Sequence, residues 1–104
     1  MTSQQTDLRI INMVFDSHMP FKHKLRQEDM ARLVAQGKFD WSIVNENSPM
    51  MKAYVPMPKL NSSVVIKVSG HIIIYGLKSK MEAIKVYNEV FDDLLKTCSR
   101  IFND

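Results

Sequence analysis

The sequence predicts an α+β domain in which two helices cover one face of a five-stranded antiparallel sheet. Two segments carry apolar residues at helical spacing, five have the composition of strands, and their order is strand, helix, four strands, helix. The 104 residues suit one domain, and 45% apolar with 24% charged residues is a globular composition. We therefore expect a single domain over residues 1–104, with residues 1–7 as a disordered tail.

The first strand and the first helix are predicted over residues 8–16 and 27–36. The strand segment is rich in β-branched and aromatic residues, and apolar groups occur on both of its faces. In the helix segment the apolar residues recur at helical spacing, and Gly37 follows at the position of a C-terminal cap. The helix should therefore be short and amphipathic.

The remaining strands are predicted between the two helices. Residues 39–44 alternate with a period of two, and residues 50–57 form a third strand. Residues 63–68 and 71–75 are strongly β-branched runs separated only by residues 69–70, the spacing of a two-residue hairpin.

A capping signature predicts where the last helix begins. Ser79 is followed three residues later by Glu82, a pattern in which each side chain satisfies a backbone N–H of the first turn. The main apolar stripe of this helix is predicted to be Ile84, Tyr87, Phe91, Leu94 and Leu95, flanked by Ala83, Val86 and Val90. The residues expected to face water are Lys80, Lys85, Asp92, Asp93 and Lys96.

With both helices on one face, the other face of the sheet is left uncovered. Exposing apolar area to water costs about 25 cal/mol per Å², so a protein rarely leaves a large apolar patch bare. Strand alternation assigns to this face Ile10, Asn12, Val14, Val65, Lys67, Ile73 and Tyr75. Because these residues are mostly apolar, we expect the face to be a binding surface.

The sequence gives no support for catalysis. The three histidines are scattered, and Cys98, the single cysteine, has no second cysteine with which to build a zinc site. No glycine-rich phosphate loop occurs among the three glycines. We therefore expect no enzyme activity, no metal and no cofactor, and we interpret Cys98 as a packing residue.

Charge and hydropathy limit the possible partners. The net charge of +3 is mild and compatible with a polyanionic partner. The chain has neither a long apolar run nor the cationic and apolar segments of a signal peptide. An intracellular protein without a membrane partner is therefore expected.

Three segments resemble a single repeat of the TATA-binding protein family. Residues 11–14, Ile-Asn-Met-Val, match a family strand in which Asn precedes Val by two residues. Residues 69–71, Ser-Gly-His, match its hairpin, and residues 75–79, Tyr-Gly-Leu-Lys-Ser, match the family's Thr-Gly-Ala-Lys-Ser. The resemblance runs from about residue 10 to residue 95. It implies a half-saddle, a curved five-stranded antiparallel sheet with two helices on its convex face.

The resemblance further implies a transcription-factor-like module that contacts the minor groove of A·T-rich promoter DNA through its concave sheet. The positions it assigns to DNA contact are Asn12, Val14, Met50, Met51, Val65, Lys67, Ser69, His71, Ile73 and Tyr75. Asn12 would bond base acceptors, and Val14, Val65 and Ile73 would press on base edges. Tyr75 replaces a small Thr on the floor of the face.

The remaining assigned positions concern phosphates and DNA bending. Ser69 and His71 fall where the family has a Ser and a Lys near phosphates. The family kinks DNA with paired Phe wedges, and the matching positions here hold Met50 or Met51 and Lys67. Because Lys67 cannot act as an apolar wedge, weaker bending than in the family is expected.

The resemblance also implies partners. The family's saddle contains two repeats joined by their first strands, whereas this chain holds one, so a homodimer or a second TATA-binding-protein-like half is expected. The convex helices would contact other transcription proteins, in the nucleus or another site of transcription. The alternative is an interaction module of the same fold that binds a protein partner through the same face and binds no DNA.

Overall fold

The structure, a computed structural model, describes residues 13–45, 49–57 and 60–104. The strands are β1 (Met13–His18), β2 (Ser42–Asn45), β3 (Pro49–Met57), β4 (Leu60–Lys67) and β5 (His71–Leu77). The helices are α1 (Gln27–Gln36) and α2 (Lys80–Thr97), followed by a 3₁₀ helix over Ser99–Phe102. The predicted α+β class and element order are confirmed. The predicted tail and the first part of the predicted first strand lie outside the described residues.

The strands form one curved antiparallel sheet in the order β1-β5-β4-β3-β2. The central strands β4 and β5 pair from Ser63↔Tyr75 to Ile66↔Ile72. β1 and β2 are the outer strands, and the described part of β1 pairs with β5 alone. This layout is that of a half-saddle, with β1 at one edge.

Alternation along the central strands separates a buried face from an uncovered one. Val64, Ile66, Ile72 and Ile74 have no exposed surface, because α1 and α2 cover their side of the sheet. Their neighbours in sequence point the other way and keep part of their surface in water. The core therefore lies between the sheet and the helices.

The segment before β2 does not form the predicted strand. The strand begins at Ser42, although the alternation begins at Phe39. The backbone N–H of Trp41 donates to the carbonyl of Phe39 at 2.9 Å, a tight turn that an extended strand excludes. Trp41 is 2% exposed and enters the core from this turn.

The β4–β5 connection is also longer than predicted. Residues 68–70 lie between the two strands, which makes a three-residue loop instead of a two-residue one. The N–H of Gly70 donates to the carbonyl of Lys67 at 2.9 Å, and Gly70 has a φ of +103°. Three-residue hairpin loops commonly end in such a left-handed residue, which glycine adopts without steric cost.

The start of α2 is as predicted, with one difference in the cap. The side chain of Ser79 accepts the backbone N–H of Glu82 at 3.2 Å. The Glu82 carboxylate accepts from the backbone N–H of Lys78 at 2.9 Å, one residue before the position of a standard capping box. The helix begins at Lys80, directly after the cap.

The predicted apolar stripe of α2 is rotated relative to the observed one. The residues that the structure buries on this helix are Ala83, Val86, Val90, Asp93 and Leu94. Ile84 and Leu95, predicted as core, are 47% and 41% exposed. Asp93, predicted to face water, is 4% exposed because its carboxylate accepts the Nε1–H of Trp41.

Candidate functional site

The sheet surface opposite the helices is the candidate site, and we call it the open face. It is formed by alternate residues of the strands, so that residues paired directly across strands share it. Its described members are Val14, Asp16, His18, Ser42, Val44, Met50, Lys52, Ser63, Val65, Lys67, His71, Ile73 and Tyr75. No helix among the described residues covers it.

The strand register arranges this face in rows. One row runs across the sheet from Lys52 through Val65 and Ile73 to Asp16. In the next row Met50 is paired with Lys67. In the first row apolar side chains therefore occupy the middle of the sheet, with Lys52 and Asp16 at the two sides, and Lys67 lies at the end of the central strand β4.

A shallow depression of about 270 Å³ lies on the open face and extends across β2, β3, β4 and β5. Its lining residues are Val44, Met50, Lys52, Val65, Lys67, Ile73 and Tyr75. The floor is apolar and the charged groups are two lysines, with no carboxylate in the lining. Such a surface suits a ligand that combines a flat apolar part with negative charge.

The two lysines of the depression are close to each other. Lys52 pairs with Val65 and Lys67 with Met50, so the lysines are diagonal neighbours across β3 and β4. No carboxylate of the described residues lies within 4.0 Å of either ammonium group. Like charges in this arrangement repel, and an anion bound between them would relieve the repulsion.

The β1 side of the open face carries a different group of residues. The rings of His18 and His71 stack with centroids 4.8 Å apart, and His71 Nε2 lies 2.5 Å from Asp16 Oδ1. The hydroxyl of Tyr87 donates to the carbonyl of His18 at 3.4 Å. The carboxylate of Asp16 is thus held by an imidazole at the edge of the face.

A bulge in β5 shapes the face beside β1. Met13 pairs with Leu77 and Phe15 pairs with Ile74, so two residues of β5 lie opposite one residue of β1. Gly76, one of the two, has a φ of +81°. Bulges of this kind change the direction of nearby side chains. Val14, at the bulge, is 59% exposed.

The structure brings most of the predicted site residues together. The strand pairings place seven of the ten on the open face: Val14, Met50, Val65, Lys67, His71, Ile73 and Tyr75. Ser69 is exposed in the β4–β5 loop, at the end of the face. Met51 is fully buried under the helices, so of the two methionines offered for the wedge position only Met50 reaches the face. Asn12 lies outside the described residues.

Sequence reasoning missed six members of the face: Asp16, His18, Ser42, Val44, Lys52 and Ser63. The alternation of β3 places Lys52 two residues after Met50, and this signal was sufficient to find it. Asp16 escaped notice because the predicted strand ended there, whereas β1 continues to His18.

The described residues hold no group of three or more His, Cys, Asp or Glu side chains arranged to bind a metal ion. Cys98 is 1% exposed, and burial, aided by the nearby charge of Asp29, raises the pKa of its thiol to about 11. A thiol with so high a pKa is a poor nucleophile near neutral pH.

Among the described helices, none is both long and apolar enough to span a bilayer. Comparisons with protein families, curated proteins and solved structures gave no match to this chain.

Proposed function

We propose that the open face binds the minor groove of double-stranded DNA. In this proposal the chain forms one half of a saddle and resembles a single repeat of the TATA-binding protein family. The observation that carries this proposal is the depression in which Lys52 and Lys67 flank an apolar floor that lacks any carboxylate. In this proposal the protein prefers A·T-rich duplex and acts in transcription.

The chemistry of the depression suits a minor groove. The groove presents flat sugar and base edges together with phosphates on both sides, and proteins bind it with apolar side chains and cations. Val65 and Ile73 supply apolar contact in the middle of the face. Lys52 and Lys67 supply cations for phosphates or for base acceptors.

The position of β1 suggests how the second half is supplied. Among the described residues β1 pairs only with β5, and its residues Met13 and Val14 are 50% and 59% exposed. We propose that a second copy of the chain pairs along this edge and completes the saddle. Met13→Lys or Val14→Lys would then oppose dimerisation, whereas Ile84→Lys, at an equally exposed apolar residue of α2, would not. Sedimentation equilibrium measures the difference.

Duplex binding is tested by fluorescence anisotropy of a labelled A·T-rich duplex titrated with protein. Lys52→Ala and Lys67→Ala should each weaken binding and reduce the dependence of log Kd on log salt by about 0.9 for each phosphate that the variant no longer neutralises. Lys85→Ala is the matched control, because Lys85 is an exposed lysine of α2 on the opposite side of the sheet. No binding by the unaltered protein at about 50 mM salt would refute the proposal, since electrostatic binding is strongest at low salt.

A second candidate function is binding of an extended polypeptide by the same face. It is favoured by the exposure of Val14 and Tyr75 and by Asp16, which gives the face both signs of charge. An interface of this kind buries apolar area and depends little on salt. The salt series therefore distinguishes the two candidates, because DNA binding weakens steeply with salt.

A further inference from the structure

A strongly basic loop follows β1 and lies outside both the predicted site and the open face. Residues 22–26 read Lys-His-Lys-Leu-Arg, so four of five residues are cationic or become so on protonation. Lys22, His23, Lys24 and Arg26 are exposed, whereas Leu25 is 5% exposed and belongs to the core. We call residues 22–26 the basic loop.

Backbone hydrogen bonds hold this loop in place. The N–H groups of Lys22 and His23 donate to the carbonyl of Ile101 at 2.6 and 3.2 Å. The guanidinium of Arg100 donates to the carbonyl of Lys24 at 3.1 Å. Because these hydrogen bonds already fix the backbone, a ligand that binds the basic side chains has little further backbone entropy to remove, which favours binding.

The basic loop lies beside one end of the open face. The N–H of Leu25 donates to the carbonyl of Val68 at 2.9 Å, and the N–H of Met19 donates to the carbonyl of Gly70 at 2.8 Å. The loop therefore runs along the β4–β5 connection. Lys67 and His71 are the residues that flank this connection on the open face, so both basic groups lie at the same end of the sheet.

The carboxylates nearest in sequence leave the two lysines of the loop unneutralised. Asp29 is engaged by the Arg100 guanidinium and by the backbone N–H of Arg26. Glu28 lies 3.8 Å from the Arg26 guanidinium. In the part of the chain that the structure describes, no carboxylate lies within 4.0 Å of the Lys22 or Lys24 ammonium group.

We propose that the basic loop is a second phosphate-binding element, which holds the backbone of the duplex where it leaves the open face past the β4–β5 connection. This inference rests on the proposed function and names the part of the ligand that the loop recognises, the phosphodiester. Lysines that contact phosphate contribute affinity without sequence information. The loop therefore strengthens binding equally for A·T-rich and G·C-rich duplexes.

The test compares two double variants in the anisotropy titration, each removing two exposed lysines. Lys22→Ala with Lys24→Ala should lower the slope of log Kd against log salt by about 1.8, since each neutralised phosphate contributes about 0.9. The ratio of affinities for A·T-rich and G·C-rich duplexes should not change. Lys80→Ala with Lys85→Ala, on exposed positions of α2, should leave the slope at its unaltered value.

The outcomes separate this inference from the proposed function. If the unaltered protein binds duplex and the loop variant keeps its salt slope, the loop touches no phosphate and only the inference fails. An equal reduction in slope for the loop variant and the control variant would show that net charge alone matters, which also overturns it. If the unaltered protein binds no duplex at low salt, the proposed function itself fails, and the inference fails with it.

Discussion

Trp41 Nε1 donates a hydrogen bond of 2.7 Å to Asp93 Oδ2, a contact between residues 52 positions apart in sequence. The other oxygen of the same carboxylate accepts from the backbone N–H of Lys38 at 2.7 Å. Asp93 thus ties the segment between α1 and β2 to the C-terminal half of α2. Asp93 is a buried carboxylate both of whose oxygens accept hydrogen bonds, which is the form in which such groups are tolerated in a core.

Replacing Asp93 should therefore destabilise the fold. Asp93→Ala leaves the indole N–H and the Lys38 N–H without an acceptor, and we expect a decrease of about 2–4 kcal/mol in the free energy of unfolding. Urea unfolding followed by the fluorescence of Trp41, the single tryptophan, measures this decrease. Asp92→Ala, which removes an exposed ion pair with Lys96, should cost less than about 0.5 kcal/mol. Equal decreases in the two variants would contradict the role given to Asp93.

The neighbouring residues Leu94 and Leu95 provide a test of the observed helix face. Leu94 is fully buried and Leu95 is 41% exposed, although both belong to the stripe predicted from the sequence. Leu94→Ala should cost about 2–5 kcal/mol through reduced burial and a cavity, and Leu95→Ala less than about 1 kcal/mol. Thermal or urea unfolding of the two variants distinguishes the observed orientation of α2 from one in which the two residues are buried alike.

Acid stability should depend on Asp29. Burial opposes ionisation of its carboxyl, but hydrogen bonds from Arg100 and from the Arg26 backbone outweigh burial and hold the pKa below the ordinary value of 3.8. Below that value the unfolded chain binds more protons than the folded one. The ionised carboxylate of Asp29 therefore stabilises the fold at higher pH, and this stabilisation is lost as pH falls through the pKa of the folded state.

We therefore expect Asp29→Asn to be less stable than the unaltered protein near neutral pH and to lose less stability on acidification below about pH 4. Urea unfolding at a series of pH values gives the comparison, with Glu28→Gln, an exposed neighbour, as control. Parallel acid profiles for the Asp29→Asn variant and the unaltered protein would contradict the prediction.

The thiol of Cys98 should be protected in the folded protein. Burial raises its pKa to about 11, and the side chain is 1% exposed. An alkylating reagent near neutral pH should modify the thiol only after the chain opens, so the labelling rate should rise with urea across the unfolding transition. Rapid labelling of the native protein, read by mass spectrometry, would show that this part of the core is open.

The raised pKa of the Cys98 thiol also predicts that the free energy of unfolding falls as pH rises above about 9, because the thiol of the unfolded chain ionises first.

Local patterns were sufficient for most of the fold. Runs of β-branched residues predicted β4 and β5, and helical spacing with Gly37 predicted the bounds of α1. The Ser79 cap fixed the start of α2. These features depend on neighbours in sequence, which explains why they are readable without the structure.

The wrong predictions concern residues whose positions depend on contacts with residues distant in sequence. Trp41 looks like a strand residue by alternation, but its partner Asp93 draws it into a turn beside α2. The same hydrogen bond makes Asp93 a core residue, which the spacing of apolar residues along the helix cannot reveal. Alternation identified only part of the open face, and the clustering of Lys52 with Lys67 required the register of β3 against β4.

Binding of duplex DNA by the open face can be observed by mapping the residues that contact the duplex. Backbone amide shifts of the isotope-labelled protein would be recorded during titration with an A·T-rich duplex at low salt. We expect shifts concentrated in β3, β4 and β5, including Lys52, Val65, Lys67 and Ile73, with little change along the exposed side of α2 at Met81 and Leu95. Shifts confined to α2, or none at saturating duplex, would contradict this expectation.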